Sequence, residues 1–369
     1  MRSLVEQAID EFGSVDLLCG KSSIGEMPGL RTHIGPPFRN DSAKSRILSW
    51  SAFSRWVRTQ STTFPKGTPL LLTSNPPFWP QIARSWKQRV KGPVTLLLWD
   101  TYPEAIERFV GVRRSSPISR AWRRMNRRGL NVADQVLTIS EDMRNLWLQY
   151  GQREIAIVPT WVETDRIHPI APDQNQIRAD RGWGERTVVL YSGNLGTVHD
   201  VSILPEAAHR LRNCSNIQFA IAGSGAAKSG LEKRTAELDL PNLEFLPFLP
   251  EDEFALLIAA ADIAVVSLAE GAEGISMPSK TYSNMAAGCA LLTINKLGGD
   301  LDRVVQEYQC GVNVRPGDAD AAAQAIRQMA EEPDLLAKYQ AQARAAAVEH
   351  FDVRVVIPRI LDLIAKGAP

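Results

Sequence analysis

Apolar runs of strand length alternate with helix-length amphipathic segments along the whole chain. The runs at 15–19, 70–74, 94–99, 136–139 and 155–158 occupy the first half, and those at 187–192, 217–222, 243–246, 263–268, 290–294 and 311–314 the second. Strands that are apolar at nearly every position, separated by helices, belong to parallel sheets covered on both faces. The fold class expected is therefore α/β, with two Rossmann-like domains, since 369 residues exceed what one core usually holds. The stretch 165–185 breaks the pattern with Pro169, Pro172, Gly182 and Gly184 and few apolar residues, and reads as a linker. The domains are then 1–164 and 186–350. An acidic, alanine-rich helix is expected around 318–349. In 351–369 a last helix shows Val356, Ile360, Leu361 and Ile364 at helical spacing.

Composition narrows the partners. The chain has 42 basic and 41 acidic residues and a net charge of +1, which argues against overall attraction to nucleic acid. Its four cysteines stand at no metal-ligand or redox spacing and read as reduced core residues. No run approaches 18 apolar residues and no secretory pattern opens the sequence, so a cytoplasmic protein is expected, with any membrane contact peripheral. One segment departs from the balance. RRSSPISRAWRRMNRR, residues 113–128, holds seven arginines and no acid. Arg120, Arg123, Arg124, Arg127 and Arg128 crowd one helical stretch around Trp122, the composition of a helix drawn to anionic headgroups. A solvated helix face and a nucleic-acid contact are the alternatives.

The most informative stretch is 263–288, IAVVSLAEGAEGISMPSKTYSNMAAG. A buried strand leads through a Gly/Glu/Ser/Pro loop to Pro278 and a helix from about Ser279. The first-turn amides of that helix and Lys280 offer an anion site. Two glycine turns precede it: Gly193-Asn194-Leu195-Gly196, with His199 following and a helix from about Asp200, and Gly223-Ser224-Gly225. Glycines let backbone approach a ligand closely, although a lone Gly-x-Gly is weak and a tight βα turn explains each as well. In the first half Asn75, Asp100, Tyr102 and Glu104 fall at the carboxyl ends of strands, where ligands bind in open α/β sheets. Asp100 is expected to cap the following helix or to act, with Glu104, as a base.

MPSKTYSNMAAG, together with VVLYSGNLGTVHD, LLLWDTYPEAIERFVG and IVPTWVETDRIHP, resembles the family 4 nucleotide-sugar glycosyltransferases, above all their capsule and exopolysaccharide branch, over roughly residues 70–315. The resemblance implies a GT-B fold with an interdomain cleft, the donor held by the second domain and the acceptor by the first. It further implies transfer with retention, no metal, and a last helix that crosses back to the first domain. Carried over position by position, Lys280 meets the diphosphate, with Gly193, Asn194, Gly196, His199, Gly223, Gly225, Pro278 and Ser279 around the donor. Phe248 lies in the turn that reads the base, and Glu273, Ser276 and Ser283 lie near the ribose and sugar. Asn75 and Tyr102 face the acceptor. The family's paired glutamates are replaced by Ile275 and Ser283, and the opening strand and glycine loop of the first domain are absent. The expected activity is sugar transfer from a nucleotide sugar to a lipid-linked or oligosaccharide acceptor at the inner face of the cytoplasmic membrane. A sugar-nucleotide epimerase and a non-catalytic binding subunit are the alternatives.

Overall fold

The computed structural model describes residues 1–151, 154–196, 198–247 and 250–366. By its contacts the chain divides into two units. One comprises Met1–Pro159 with Gly274–Ser276 and the C-terminal helix Val353–Lys366; the other comprises Thr160–Glu273 and Met277–Asp352.

The first unit contains the strands Val15–Cys19 (β1), Leu30–Ile34 (β2), Leu70–Thr73 (β3), Val94–Leu98 (β4), Gln135–Thr138 (β5) and Ala156–Ile157 (β6). They form two separate parallel sheets, β1-β2 and β3-β4-β5-β6. The second sheet follows the apolar runs; β4 is buried at all of its residues. The sequence pattern misses β2, because LRTHI interleaves a half-buried pair with exposed residues instead of presenting an apolar run.

The second unit contains Thr187–Asn194 (β7), Ile217–Ser224 (β8), Leu243–Leu246 (β9), Ile263–Ser267 (β10), Ala290–Ile294 (β11) and Gly311–Val314 (β12), in one parallel sheet of order β12-β11-β10-β7-β8-β9. β10 and β11 are buried throughout. The connections run outward in opposite directions from β7, so its boundary with β10 is the topological switch point of a doubly wound sheet.

Several expectations are corrected. The segment 165–185 is packed rather than a solvated linker: it forms the helix Gln176–Arg181, buries Trp183, and sends the buried Arg178 to the Asp262 carboxylate at 3.1 Å and the Ala260 carbonyl at 3.0 Å. The alanine-rich stretch is two helices, Ala319–Glu331 and Pro333–Ala346, because Pro333 cannot continue the first. The helix expected from Asp200 begins at Ile203, after the Asp200 carboxylate accepts the Ser202 amide.

β7 and β8 also run two residues beyond the apolar run, so the first glycine of each turn is paired inside the sheet, Gly193 opposite Gly223. A Cβ on Gly223 would lie 1.9 Å from the Gly193 carbonyl oxygen, and one on Gly225 would lie 2.4 Å from that of Leu195. Both glycines have positive φ, 156° and 149°. The strands approach this closely only without side chains there. We expect Gly223→Ala to destabilise the protein by at least about 2–3 kcal/mol, through backbone clash and strain together. Urea unfolding with unchanged midpoint would show that the strand ends relax freely.

Candidate functional site

The switch point of the second unit brings together one cation and an aromatic ring. Strand periodicity puts Tyr191 and Gly193 on one face of β7, two residues apart. Lys280, first residue of the helix Lys280–Ala286, reaches over that face. Its Nζ stands 3.9 Å from the centroid of the Tyr191 ring, and a Cβ on Gly193 would lie 2.6 Å from it. The ammonium therefore fills the space that the glycine leaves open, against the negative face of the phenol ring. Nζ is buried and has no hydrogen-bond partner among the described residues. Burial pushes its pKa from 10.5 down to about 7.

His199 lies beside it. Its Nδ1 donates to the Ser267 carbonyl at 2.8 Å. Burial first, then the charge of Lys280, lowers its pKa, against the opposing effect of the Ser267 hydrogen bond. His199 is thus a neutral imidazole fixed in its Nδ1–H tautomer, not the cation that the sequence suggests.

The other donor-side residues are distributed around this pair. Asn194 is exposed, and its carbonyl accepts the Tyr191 hydroxyl at 2.8 Å. A Cβ on Gly196 would come within 3.1 Å of the Asn194 side chain. Pro278 is buried, Ser279 exposed, and Glu273 and Ser283 half-buried. Ser276 counts with the first unit, and Ile275 beside it is buried at 8 % exposure. Phe248 lies outside the described residues. The first-turn amides are less available than the sequence suggests, because Thr281 and Tyr282 donate theirs to the Pro278 and Ser279 carbonyls at 3.1 and 3.2 Å. Tyr191 went unnoticed in the sequence, although its place two residues before Gly193 is the signal that finds it.

In the first unit, Asn75, Asp100 and Tyr102 gather at the carboxyl ends of β3 and β4. The Ser74 hydroxyl accepts the Trp99 and Asp100 amides at 3.0 and 2.9 Å, tying the two strand ends together. Asp100 caps no helix: the next one, Glu104–Phe109, starts after Pro103 with no side-chain cap. Burial raises the Asp100 pKa. The Tyr102 ring stacks on Trp122 at 5.8 Å and meets Trp50 edge-on at 5.7 Å, while Trp122 also stacks on Phe78 at 5.9 Å.

Glu104 is turned inward. Its Oε1 accepts Arg123 Nη1 at 2.8 Å and the Tyr150 hydroxyl at 2.6 Å, and Arg123 Nη2 reaches Glu107 at 2.6 Å. The network corrects two expectations. Glu104 is anchored by a half-buried cation, and Arg123, like the stacked Trp122, belongs to the interior side of the helix Pro117–Leu130. Arg120, Arg124, Arg127 and Arg128 remain exposed on that helix.

The buried ammonium sets a pH dependence whose sign is fixed. The Lys280 pKa is lower in the folded chain than in the unfolded one, so between about 7 and 10.5 the unfolded chain binds more protons and stability rises with pH. Below that window the full cost of burying charge remains. We expect Lys280→Met, which keeps the contact with Tyr191, to stabilise the ligand-free protein on the order of 2 kcal/mol at pH 6, with the gain fading toward pH 10. Denaturant unfolding at both pH values measures it; a pH-independent gain would place the ammonium in water.

Residues 173–346 match the family described as Glycosyl transferases group 1. The chain is 27 % identical over 238 residues to the protein named Probable glycosyltransferase WbjE of Pseudomonas aeruginosa, covering 64 % of this chain and 59 % of that one. It is 29 % identical over 241 residues to the colanic acid biosynthesis glycosyl transferase WcaI of Escherichia coli, covering 64 % and 58 %. The match thus spans about three fifths of the length of these relatives. Among solved structures, Anabaena HepE in complex with UDP-glucose superposes with a TM-score of 0.72 at 16 % identity, over 99 % of this chain and 95 % of that one. The doubly wound sheet of the second unit and this likeness identify the GT-B fold, and over residues 173–346 the chain is similar to the glycosyl transferases of group 1.

Proposed function

We propose that the protein transfers a sugar from a nucleotide-sugar donor to an acceptor in the assembly of cell-surface polysaccharide, with retention and without a metal. The observation that carries this reading is the Lys280 ammonium, buried at the switch point of the second unit with no partner among the described residues. A departing nucleoside diphosphate gains negative charge as the glycosidic bond breaks, and a preorganised cation stabilises that charge. Burial lowers the Lys280 pKa, and the charge of an incoming diphosphate opposes that shift and favours the ammonium form. Solved neighbours in complex with UDP and with UDP-glucose support a nucleotide sugar as donor. In the first unit, Asn75 and Tyr102 serve the acceptor, and Asp100, its pKa raised by burial, is the base that orients it.

We expect Lys280→Ala to lower turnover about 100-fold with the fold intact, the scale of losing one preorganised donor to developing charge. A folded variant that transfers sugar at the parent rate overturns the assignment. The non-catalytic reading, favoured by Ile275 and Ser283 where the family pattern has glutamates, predicts nucleotide binding without turnover in either protein. The epimerase reading needs paired acid/base groups, and Glu104 is already committed to Arg123.

We further propose that the acceptor is lipid-linked and that the arginine helix rests on an anionic membrane. No helix among the described residues is long and apolar enough to cross one. Arg120, Arg124, Arg127 and Arg128 are exposed, and Ile118 on the same helix is 65 % exposed. Replacing these four arginines by Gln, with Arg123 kept, should release the protein from vesicles containing anionic lipid. Added salt should do the same, since exposed charge is screened over about 10 Å at 0.1 M. Equal vesicle binding by parent and variant would remove the membrane from the proposal.

A further inference from the structure

Arg46 is the fourth residue of the helix Ala43–Gln60, whose start is closed by Ser42 and Ser45 in a capping box. It is half-buried and has no counter-charge. Between Asp41 and Asp100 the sequence contains no acidic residue, and no carboxylate among the described residues pairs with the guanidinium. Its Nε is buried without a hydrogen-bond partner among those residues. The start of a helix is also the wrong end for a cation, because the unpaired amides there already carry partial positive charge. Desolvation, dipole and missing partner all disfavour the same side chain, and an anion beside it would relieve all three.

Arg46 stands beside the edge formed by Asn75, Asp100 and Tyr102. One helical turn on and on the same face, Trp50 is 7 % exposed, and its Nε1 also has no hydrogen-bond partner among the described residues. The Trp50 ring meets that of Tyr102 edge-on at 5.7 Å. The guanidinium acts on Tyr102 as well: burial first, then the Asp100 charge, raises the Tyr102 pKa, and the Arg46 charge opposes them. Burial alone raises the pKa of Asp100. A cation and a carboxyl thus flank one phenol hydroxyl without pairing with each other. An ion pair between them would have matched both charges inside the chain.

We propose that Arg46 is the residue of the first unit that selects the acceptor by charge: it binds a phosphate or carboxylate group on the acceptor, with the Tyr102 hydroxyl as a second donor, while the acceptor's reacting hydroxyl lies at Asp100. The inference rests on the reading of Asn75, Asp100 and Tyr102 as the acceptor side and deepens it by naming the charge that the acceptor carries. A guanidinium takes either anion through parallel N–H···O bonds. A lipid diphosphate and an acidic sugar both supply such a group, and the same measurement tells them apart.

Binding to the full chain is compared for octyl diphosphate, octyl glucuronide and the neutral octyl glucoside, each below its micelle concentration. In the parent, at least one of the two anions should bind about tenfold or more tighter than the glucoside. Arg46→Gln should weaken that anion about 10–100-fold, the scale of a lost hydrogen bond to a charged group, and leave the glucoside unchanged. The diphosphate as the tighter probe assigns a lipid link, the glucuronide an acidic sugar. Lys280→Met should keep the preference. Its loss there, with Arg46→Gln binding like the parent, puts the anion in the second unit and overturns the proposal. So does equal binding of all three probes by the parent, a result that depends on no variant. Arg46→Gln should fold with Tm unchanged or raised, because it removes a cation from a helix start. A protein that discriminates the probes but transfers no sugar removes the proposed activity and leaves the role of Arg46 standing. Transfer to neutral and acidic acceptors at equal KM removes that role and leaves the activity.

Discussion

A buried ammonium ion without a counter-charge is among the costlier groups a protein can hold, and the second unit is arranged around one. The surroundings of Lys280 reduce that cost without abolishing it: the Tyr191 ring lies under Nζ, the open face of Gly193 gives it room, and His199 beside it is kept neutral by burial and by its bond to Ser267. No carboxylate among the described residues bonds it. A carboxylate there would steady the folded chain and also compete with any anionic ligand.

The position of that site follows from how closely β7 and β8 can approach. Gly193 and Gly223 stand opposite each other, and neither accommodates a Cβ without displacing backbone or the lysine. The pair lets the central strands continue past their apolar runs and present main chain, instead of side chains, at the carboxyl edge of the sheet. The glycines thus answer to the sheet first. Any role in ligand approach uses space that strand packing had already cleared. Arg178 supplies the matching constraint at the opposite end of β7, joining 165–185 to Asp262 and to the carbonyls of Gly184 and Arg186.

The first unit shows how a run of like charge divides when a helix docks. Of the arginines on Pro117–Leu130, Arg123 meets Glu104, Glu107 and Tyr150, while its neighbours face outward. The same docking seats Trp122 between Phe78 and Tyr102. The rings and the Ser74 hydroxyl hold the ends of β3 and β4, and Asp100 is left as the half-buried carboxyl at that edge. Two acidic residues four apart in sequence, Asp100 and Glu104, end with different work because only one lies within reach of a guanidinium.

Sequence alone determined the parallel sheets of both units, since a strand buried on both faces must be apolar nearly throughout, as 94–98, 263–267 and 290–294 are. It also determined where Lys280 and the glycine turns fall, because strand, turn and helix start are local signals. What it missed was β2, whose exposed positions obscure an apolar run, and the buried side of 165–185, whose Arg178 and Trp183 find partners far along the chain. Tertiary structure alone decided that Lys280 lies over Tyr191, 89 residues away in sequence by the difference of their numbers. It likewise decided that Glu104 faces Arg123 and that β1 and β3 border one cavity. Periodicity tells which side of its own element a residue occupies. Which element comes to lie against that side is fixed only when the layers pack.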